Sequence, residues 1–202
     1  MRQIVPYARV GHAEISITCF AVCERFEDGK PGSAMGGHMT NQERLHSDQA
    51  DTALFKDMLR AVVGSVSILA AGQGAGRRGL TVTAGVSLCA DPPIVLACIN
   101  RNVEAHDVIL GTGAFSWNVL SVDQLELAER FSTPGIGNGA SRFSPAKWGE
   151  MITGSPVLLA SACSFDCKIQ GALEQETHTI IVASIVAQIF NKNNFSLLCF
   201  DE

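Results

Sequence analysis

Residues 74–100 read GAGRRGLTVTAGVSLCADPPIVLACIN, and the meaning of the glycines at their start decides the fold. Gly74, Gly76 and Gly79 have the G-x-G-x-x-G spacing of a dinucleotide loop. Such a loop comes after a strand and opens a helix, whose N-terminus receives the pyrophosphate. Here the glycines lead instead into Leu80-Thr-Val-Thr-Ala-Gly-Val-Ser-Leu88, which is β-branched and alternating, as strands are. The glycines therefore join two strands as a hairpin, and any phosphate nearby falls to strand-edge amides and hydroxyls. Asp91-Pro92-Pro93 forces a turn, because neither proline donates a backbone hydrogen bond. Residues 94–100 form a continuous apolar run, predicted as a strand buried on both faces.

Upstream, Phe55, Met58, Leu59, Val62 and Val63 have helical spacing and make one apolar stripe. Asp51 or Thr52 is the expected N-cap and Gly64 the expected C-terminal stop. A strand over 65–70 then leads into the glycine hairpin. Downstream, the pattern predicts a short helix over 106–110 and a strand over 115–120. Ser121-Val-Asp-Gln124 reads as a capping box opening a helix through Leu125, Leu127, Ala128 and Phe131. Residues 132–148 read as a long loop rich in Gly and Pro, a length that usually marks function or mobility. Two long strands come next, 161–170 and 178–190, with Glu174-Gln175-Glu176 in the polar connection. A last short strand covers 196–200. About seven strands against three helices, with no βαβ alternation, favour a mainly β fold: an antiparallel barrel with peripheral helices.

The 202 residues suffice for one domain with a full core. Residues 1–50 differ in character, being turn-rich around Glu27-Asp-Gly-Lys-Pro-Gly, and read as an N-terminal extension, a remnant or a misassigned start. Residues 51–202 form the domain. Hydrophobic residues at 47% and a mean hydropathy of +0.19 point to apolar surface buried between subunits. A net charge of −5 argues against nucleic acid, and no apolar run reaches membrane-helix length. The seven cysteines are odd in number and lack paired zinc spacing, so a reducing cytoplasm is the expected compartment. Cys163 and Cys167, four apart on a strand, read as small core residues.

There is no G-x-S-x-G elbow, and the five histidines show no H-x-x-x-H spacing, so neither a serine hydrolase nor a zinc enzyme is expected. Scarce acid–base candidates beside many small polar residues suggest that a cofactor carries the chemistry. Thr81, Thr83, Gly85 and Ser87 alternate along one predicted strand. The bland reading is a wet outer face. The functional one is a row of hydroxyls and amides for a phosphorylated planar ligand, with Gly85 admitting a flat ring. Arg77 and Arg78 are either solvated loop charges or phosphate ligands. Asn100, Arg101 and Asn102 end a strand at the sheet rim. His106 and His178 read first as an ordinary helix-start and an ordinary strand histidine.

The block from Arg77 to Asn100, with His106 just beyond it, closely resembles the flavin reductase-like family, the small reductase components of two-component flavin-dependent monooxygenases. Phe115-Ser-Trp-Asn-Val-Leu120, Leu127-Ala-Glu-Arg-Phe131, Arg142-Phe143 with Trp148, Gly154-Ser-Pro-Val157 and His178-Thr-Ile180 fall in the family's order. The similarity runs over about residues 53–200. The resemblance implies a six-stranded Greek-key split β-barrel, the FMN-binding split barrel, holding FMN (or FAD) at a homodimer interface. It places Arg78, Gly79, Thr81, Val82, Thr83, Ala84, Ser87, Cys98, Asn100, Arg101, Ala105 and His106 around the flavin, with the loop arginines toward the phosphate, and His178 beside the ring and the nicotinamide. The implied reaction is hydride transfer from C4 of NAD(P)H to N5 of the flavin, which then serves a separate oxygenase. The resemblance implies neither a metal nor a membrane. Cys89-Ala90 departs from the family's usual polar pair, and the sequence ends where relatives continue through a basic, aromatic tail, so a truncated C-terminus is expected. The competing reading is a flavin-binding electron carrier or regulator without turnover.

Overall fold

The structure is a computed structural model and describes residues 3–6, 50–133 and 139–200. Beyond Gln3–Pro6, the expected N-terminal extension lies outside the described residues, as do 134–138 of the predicted long loop. β1 (Gln3–Pro6) pairs antiparallel with a strand from the other end of the chain.

Helix α1 (Thr52–Met58) starts where the sequence places it. Asp51 Oδ1 accepts from the amides of Ala53 at 2.8 Å and Leu54 at 3.3 Å. It is shorter than its stripe predicts. After Met58 the chain tightens into a 3-10 turn, Leu59–Ala61, and Gly64 opens β2 (Gly64–Ser65) rather than capping the helix. The stripe meets no core: Phe55, Met58, Leu59, Val62 and Val63 are all exposed.

The glycine segment is the expected hairpin. β3 (Ser67–Ala71) pairs antiparallel with β4 (Arg78–Val82), Ile68 opposite Thr81 and Ala71 opposite Arg78. Gly72 turns the chain at φ +78°, and a Cβ there would meet Gly76 O at 2.8 Å, so the turn requires glycine. The strand predicted over 80–88 is not continuous. It breaks at Thr83 and Ala84, and the chain resumes as β5 (Gly85–Ala90), which pairs with β6 (Pro93–Asn100). β6 alternates between buried and half-buried positions along its length. The predicted two-sided burial does not hold, because the outer face of β6 has no second layer over it.

Helix α2 (Glu104–Thr112) ends at Gly113 in the left-handed region, φ +66°. β7 (Ala114–Val119) is buried at every position, with the barrel interior on one side and a second apolar layer on the other. In the predicted capping box only one arm forms: Ser121 N donates to Gln124 Oε1 at 2.9 Å. The Ser121 hydroxyl turns instead to Asp123, and α3 (Leu125–Ser132) begins after Gln124. Past a 3-10 turn at Gly139–Phe143, β8 (Trp148–Glu150) and β9 (Pro156–Leu158) form a small hairpin. β10 (Cys163–Gln175) and β11 (His178–Phe190) are joined by Glu176 and Thr177 alone. Glu174 and Gln175 are thus strand residues, not connection. β12 (Leu197–Phe200) pairs with β1 and β2.

The main sheet has the order β4-β3-β7-β10-β11-β6-β5. Its two edge strands, β4 and β5, are consecutive in the chain and separated only by Thr83 and Ala84, so the sheet returns on itself. Seven paired segments therefore stand where six strands were expected, because one bent strand supplies both edges. Pairing between β5 and β6 extends only from Gly85↔Ala97 to Ala90↔Pro93, plus one bond from Cys98 N to Ala84 O at 3.0 Å. Beyond it β4 and the end of β6 part, and α2 packs against β4 there, adding Ala105 and Ile109 to the interior core. That interior holds Leu80, Val82, Phe115, Trp117, Cys167 and Ile181. The second core, under α3 and the β8–β9 hairpin, is built on Phe131, Phe143 and Leu158. Asn118 ties the layers together: Nδ2 donates to Ile68 O, and Oδ1 accepts from Leu158 N and from Ser164 Oγ. No described helix is long and apolar enough to cross a membrane.

Candidate functional site

The parting between β4 and the end of β6 gathers most of the residues that the sequence points to. Opposed residues of an antiparallel pair share a face, and residues two apart on one strand do too. His178 lies opposite Asn100 and Ile180 opposite Cys98. Cys98 in turn bonds through its amide to Ala84 O. Ala84, Cys98, Ile180, Asn100 and His178 therefore share the outer face, with its polar groups at one end. Thr83 and Ala84 are exposed at the strand break, as is Ser87 further along β5.

The first turn of α2 closes the rim. His106 is buried, with Nε2 and Thr179 Oγ1 2.9 Å apart and Nδ1 2.9 Å from Asp107 Oδ1. It thus ties α2 to β11 rather than facing outward. Ala105 is buried beneath it. Arg78 Nε pairs with Glu104 Oε2 at 3.1 Å, and its Nη1 donates to Ala75 O and Arg77 O. Arg101 Nη2 pairs with Glu174 Oε2 at 3.0 Å. Of the two loop arginines expected toward the phosphate, Arg78 thus already has a carboxylate partner, and Arg77 lies over Phe143 instead. Arg101 is paired as well, and a ligand phosphate would compete with these carboxylates. Asn100 Oδ1 accepts from Asn102 N at 2.9 Å. His178 is exposed, and its Nδ1 lies 2.8 Å from Thr177 Oγ1, which leaves Nε2 to a ligand.

The predicted row of hydroxyls does not form. Thr81 is buried and donates to Ala128 O of α3 at 2.7 Å. A Cβ on Gly79 would meet the Phe131 ring at 2.8 Å, so this glycine admits α3 rather than a ligand. Val82 points into the barrel. The break at Thr83 and Ala84 resets the alternation, so that Gly85 also faces inward. A Cβ there would lie 2.9 Å from Trp117 Cε2. The flat ring that the glycine admits is therefore the chain's own indole. Sequence reasoning found the close approach but not the partner. Trp117 itself was legible only as one residue of an apolar strand. Its Nε1 is buried with no hydrogen-bond partner.

Cys98, half-buried, is the cysteine on the shared face. Cys163 and Cys167 belong to the interior core as expected. Burial pushes the Cys163 thiol up. It also pushes Cys167 up, to about 12, with the Asp166 carboxylate adding to the rise and a backbone hydrogen bond from Trp117 opposing it. Among the described residues no cluster of His, Cys, Asp and Glu could hold a metal ion.

Comparison with known proteins identifies the family. The model of the flavin reductase like domain family matches residues 59–202. The FMN reductase (NADH) RutF of Stutzerimonas stutzeri is 32% identical over 146 residues, covering 72% of this chain and 83% of that protein. Its namesake from Yersinia enterocolitica is 32% identical over 157 residues, covering 78% and 85%. A solved structure from Haemophilus somnus, assigned to the flavin reductases, superposes with a TM-score of 0.71 at 29% identity, covering 75% of this chain and 96% of that one. The family model spans more than half of the chain, and the chain belongs to the flavin reductase-like family.

Proposed function

We propose that this protein is an NADH-dependent FMN reductase that supplies reduced flavin to a separate oxygenase. Kinship with proteins named FMN reductase (NADH), over more than four-fifths of their length, carries the reading. The groove supports it. Ala84, Cys98 and Ile180 would form an apolar floor, while Thr83, Asn100 and His178 would offer hydrogen bonds at its edge. When bound, the flavin supplies the hydride acceptor, and the chain need supply no strong acid or base. Thr83, Asn100 and the exposed amides at the strand break would orient the ring and meet charge developing on its pyrimidine edge. His178 Nε2 would hold the nicotinamide amide or phosphate end of the second substrate. His106 and Thr179 keep α2 seated against β11 and so fix the rim.

The exposed stripe of α1, with Val86 and Leu88 on β5, supports a homodimer. The cysteines described are all free, which fits a reducing cytoplasm. The deciding assay adds NADH and FMN to the purified protein and follows nicotinamide absorbance. Rapid, FMN-dependent consumption is expected, with NADH preferred over NADPH. Flavin binding without consumption would leave only a carrier. Within that assay His178→Ala is expected to raise KM for NADH about tenfold with FMN affinity little changed, the loss of one charge-assisted contact. Unaltered kinetics would remove His178 from the site.

A further inference from the structure

Arg77 differs from its neighbour in what it meets. Arg78 pairs with Glu104 on α2, whereas the Arg77 guanidinium lies 4.5 Å from the centre of the Phe143 ring. It is half-buried, and among the described residues it has no carboxylate partner. Nη2 makes one long bond, 3.4 Å, to Ala140 O, and Nε is buried with no acceptor. A guanidinium has five N–H donors and does not lose its charge in proteins. A partly desolvated one with a single poor acceptor is short of an anion.

A shallow, open depression of about 540 Å³ lies beside it. Its lining includes two cations, Arg77 and Lys147, and apolar walls from Pro145, Trp148 and Leu159 over the buried Phe143, with no acidic residue among the described residues. Trp148 spends its indole N–H on Phe143 O at 2.9 Å and so presents its ring rather than a donor. The volume is that of a small-molecule site. A smaller one, about 380 Å³, shares Arg77 and Trp148 but includes Glu150, which would repel an anion.

We propose that the larger depression is a binding site, separate from the flavin groove, for a planar apolar molecule bearing a carboxylate or phosphate. The oxyanion sits on Arg77 and Lys147, and the ring lies against Trp148. Such a ligand matches both the unmet charge and the aromatic walls, which neither inorganic phosphate nor a neutral arene would do.

Isothermal titration calorimetry on the wild-type protein tests this with benzoate, phenyl phosphate, benzamide and inorganic phosphate. Benzoate and phenyl phosphate are expected to bind saturably at one site, and the other two about tenfold or more weakly. Stronger binding of one anion than the other tells whether carboxylate or phosphate is the natural group. Arg77→Met keeps the stem on Phe143 and removes the charge. It should weaken both anions about tenfold. Lys147→Glu, at an exposed position and at a residue not assigned to the flavin groove, should give the same loss while FMN affinity and FMN-dependent NADH oxidation stay unchanged. Equal affinity for benzamide and benzoate would overturn the proposal, as would no binding or no effect of either substitution. Loss of FMN affinity together with anion binding would overturn the separateness of the site. Because calorimetry is done without flavin, a failure of FMN reduction would leave this result standing.

Discussion

Thr81 and Gly85 show how one residue's role depends on what lies across from it. By spacing they share a strand face, and both invite a ligand. In the fold Thr81 is spent on the Ala128 carbonyl and Gly85 on Trp117. Thr81→Val should therefore cost about 1 kcal/mol of stability, the value of one buried hydrogen bond, in urea unfolding, with FMN affinity unchanged. A large loss of FMN affinity at unaltered stability would restore Thr81 to the ligand. Gly85→Ala drives a methyl into the indole and should cost about 1–3 kcal/mol by overpacking. Shrinking the ring with Trp117→Val should recover part of that cost in the double variant, and additive losses would deny the contact. Cys167 adds a pH dependence. The unfolded thiol ionises from its ordinary value of 9.0, while the folded one resists until about 12. Above pH 9 the unfolded state releases a proton that the native state keeps, so stability falls between these values and levels beyond them. Urea midpoints in that window should fall less steeply for Cys167→Ala than for wild type.

Among the elements, the bent strand matters most. Pattern alone predicted strand over 80–88, and both halves are strand. The break between them was not legible, because it arises from a change of partner, from β3 to β6, and not from local propensity. α1 shows the reverse case. Its cap and stripe were readable at Asp51 and Phe55, but the helix stops at Met58, since no core lies beneath it to hold another turn. The β10–β11 hairpin turns through two residues with Glu176 at φ +47°, a conformation that costs a side chain more than it costs glycine. Glu176→Gly should raise stability by about 0.5 kcal/mol, read from the urea midpoint. A lower midpoint would mean that the glutamate side chain holds the turn.

At the scale of the molecule, the described chain leaves a large apolar surface uncovered. Phe55, Met58, Leu59, Val62 and Val63 lie exposed on and just after α1, with Val86 and Leu88 on β5. Gly64, just beyond the stripe, sits against Thr83 at the strand break, so this surface adjoins the candidate groove. Patches of this kind usually meet a partner. A symmetric dimer would cover it, and Val62→Asp should then shift light-scattering mass from dimer to monomer and weaken FMN binding. A wild-type monomer would refute the dimer.

The sequence by itself determined the β character of the chain, the hairpin at the glycines and the family. All three rest on local alternation, turn residues and motif order, which neighbouring residues write directly. It also named Ala84, Cys98, Asn100 and His178, which the fold makes neighbours. Only the tertiary structure decided which side chains remain free for a ligand. Thr81, His106, Arg78 and Arg101 each carry the right group, yet each is engaged by a residue distant in sequence: Ala128, Thr179, Glu104 and Glu174. Arg77, alike in sequence to its neighbour, is left without an anion among the described residues. Availability depends on contacts between distant segments, and no local pattern encodes those.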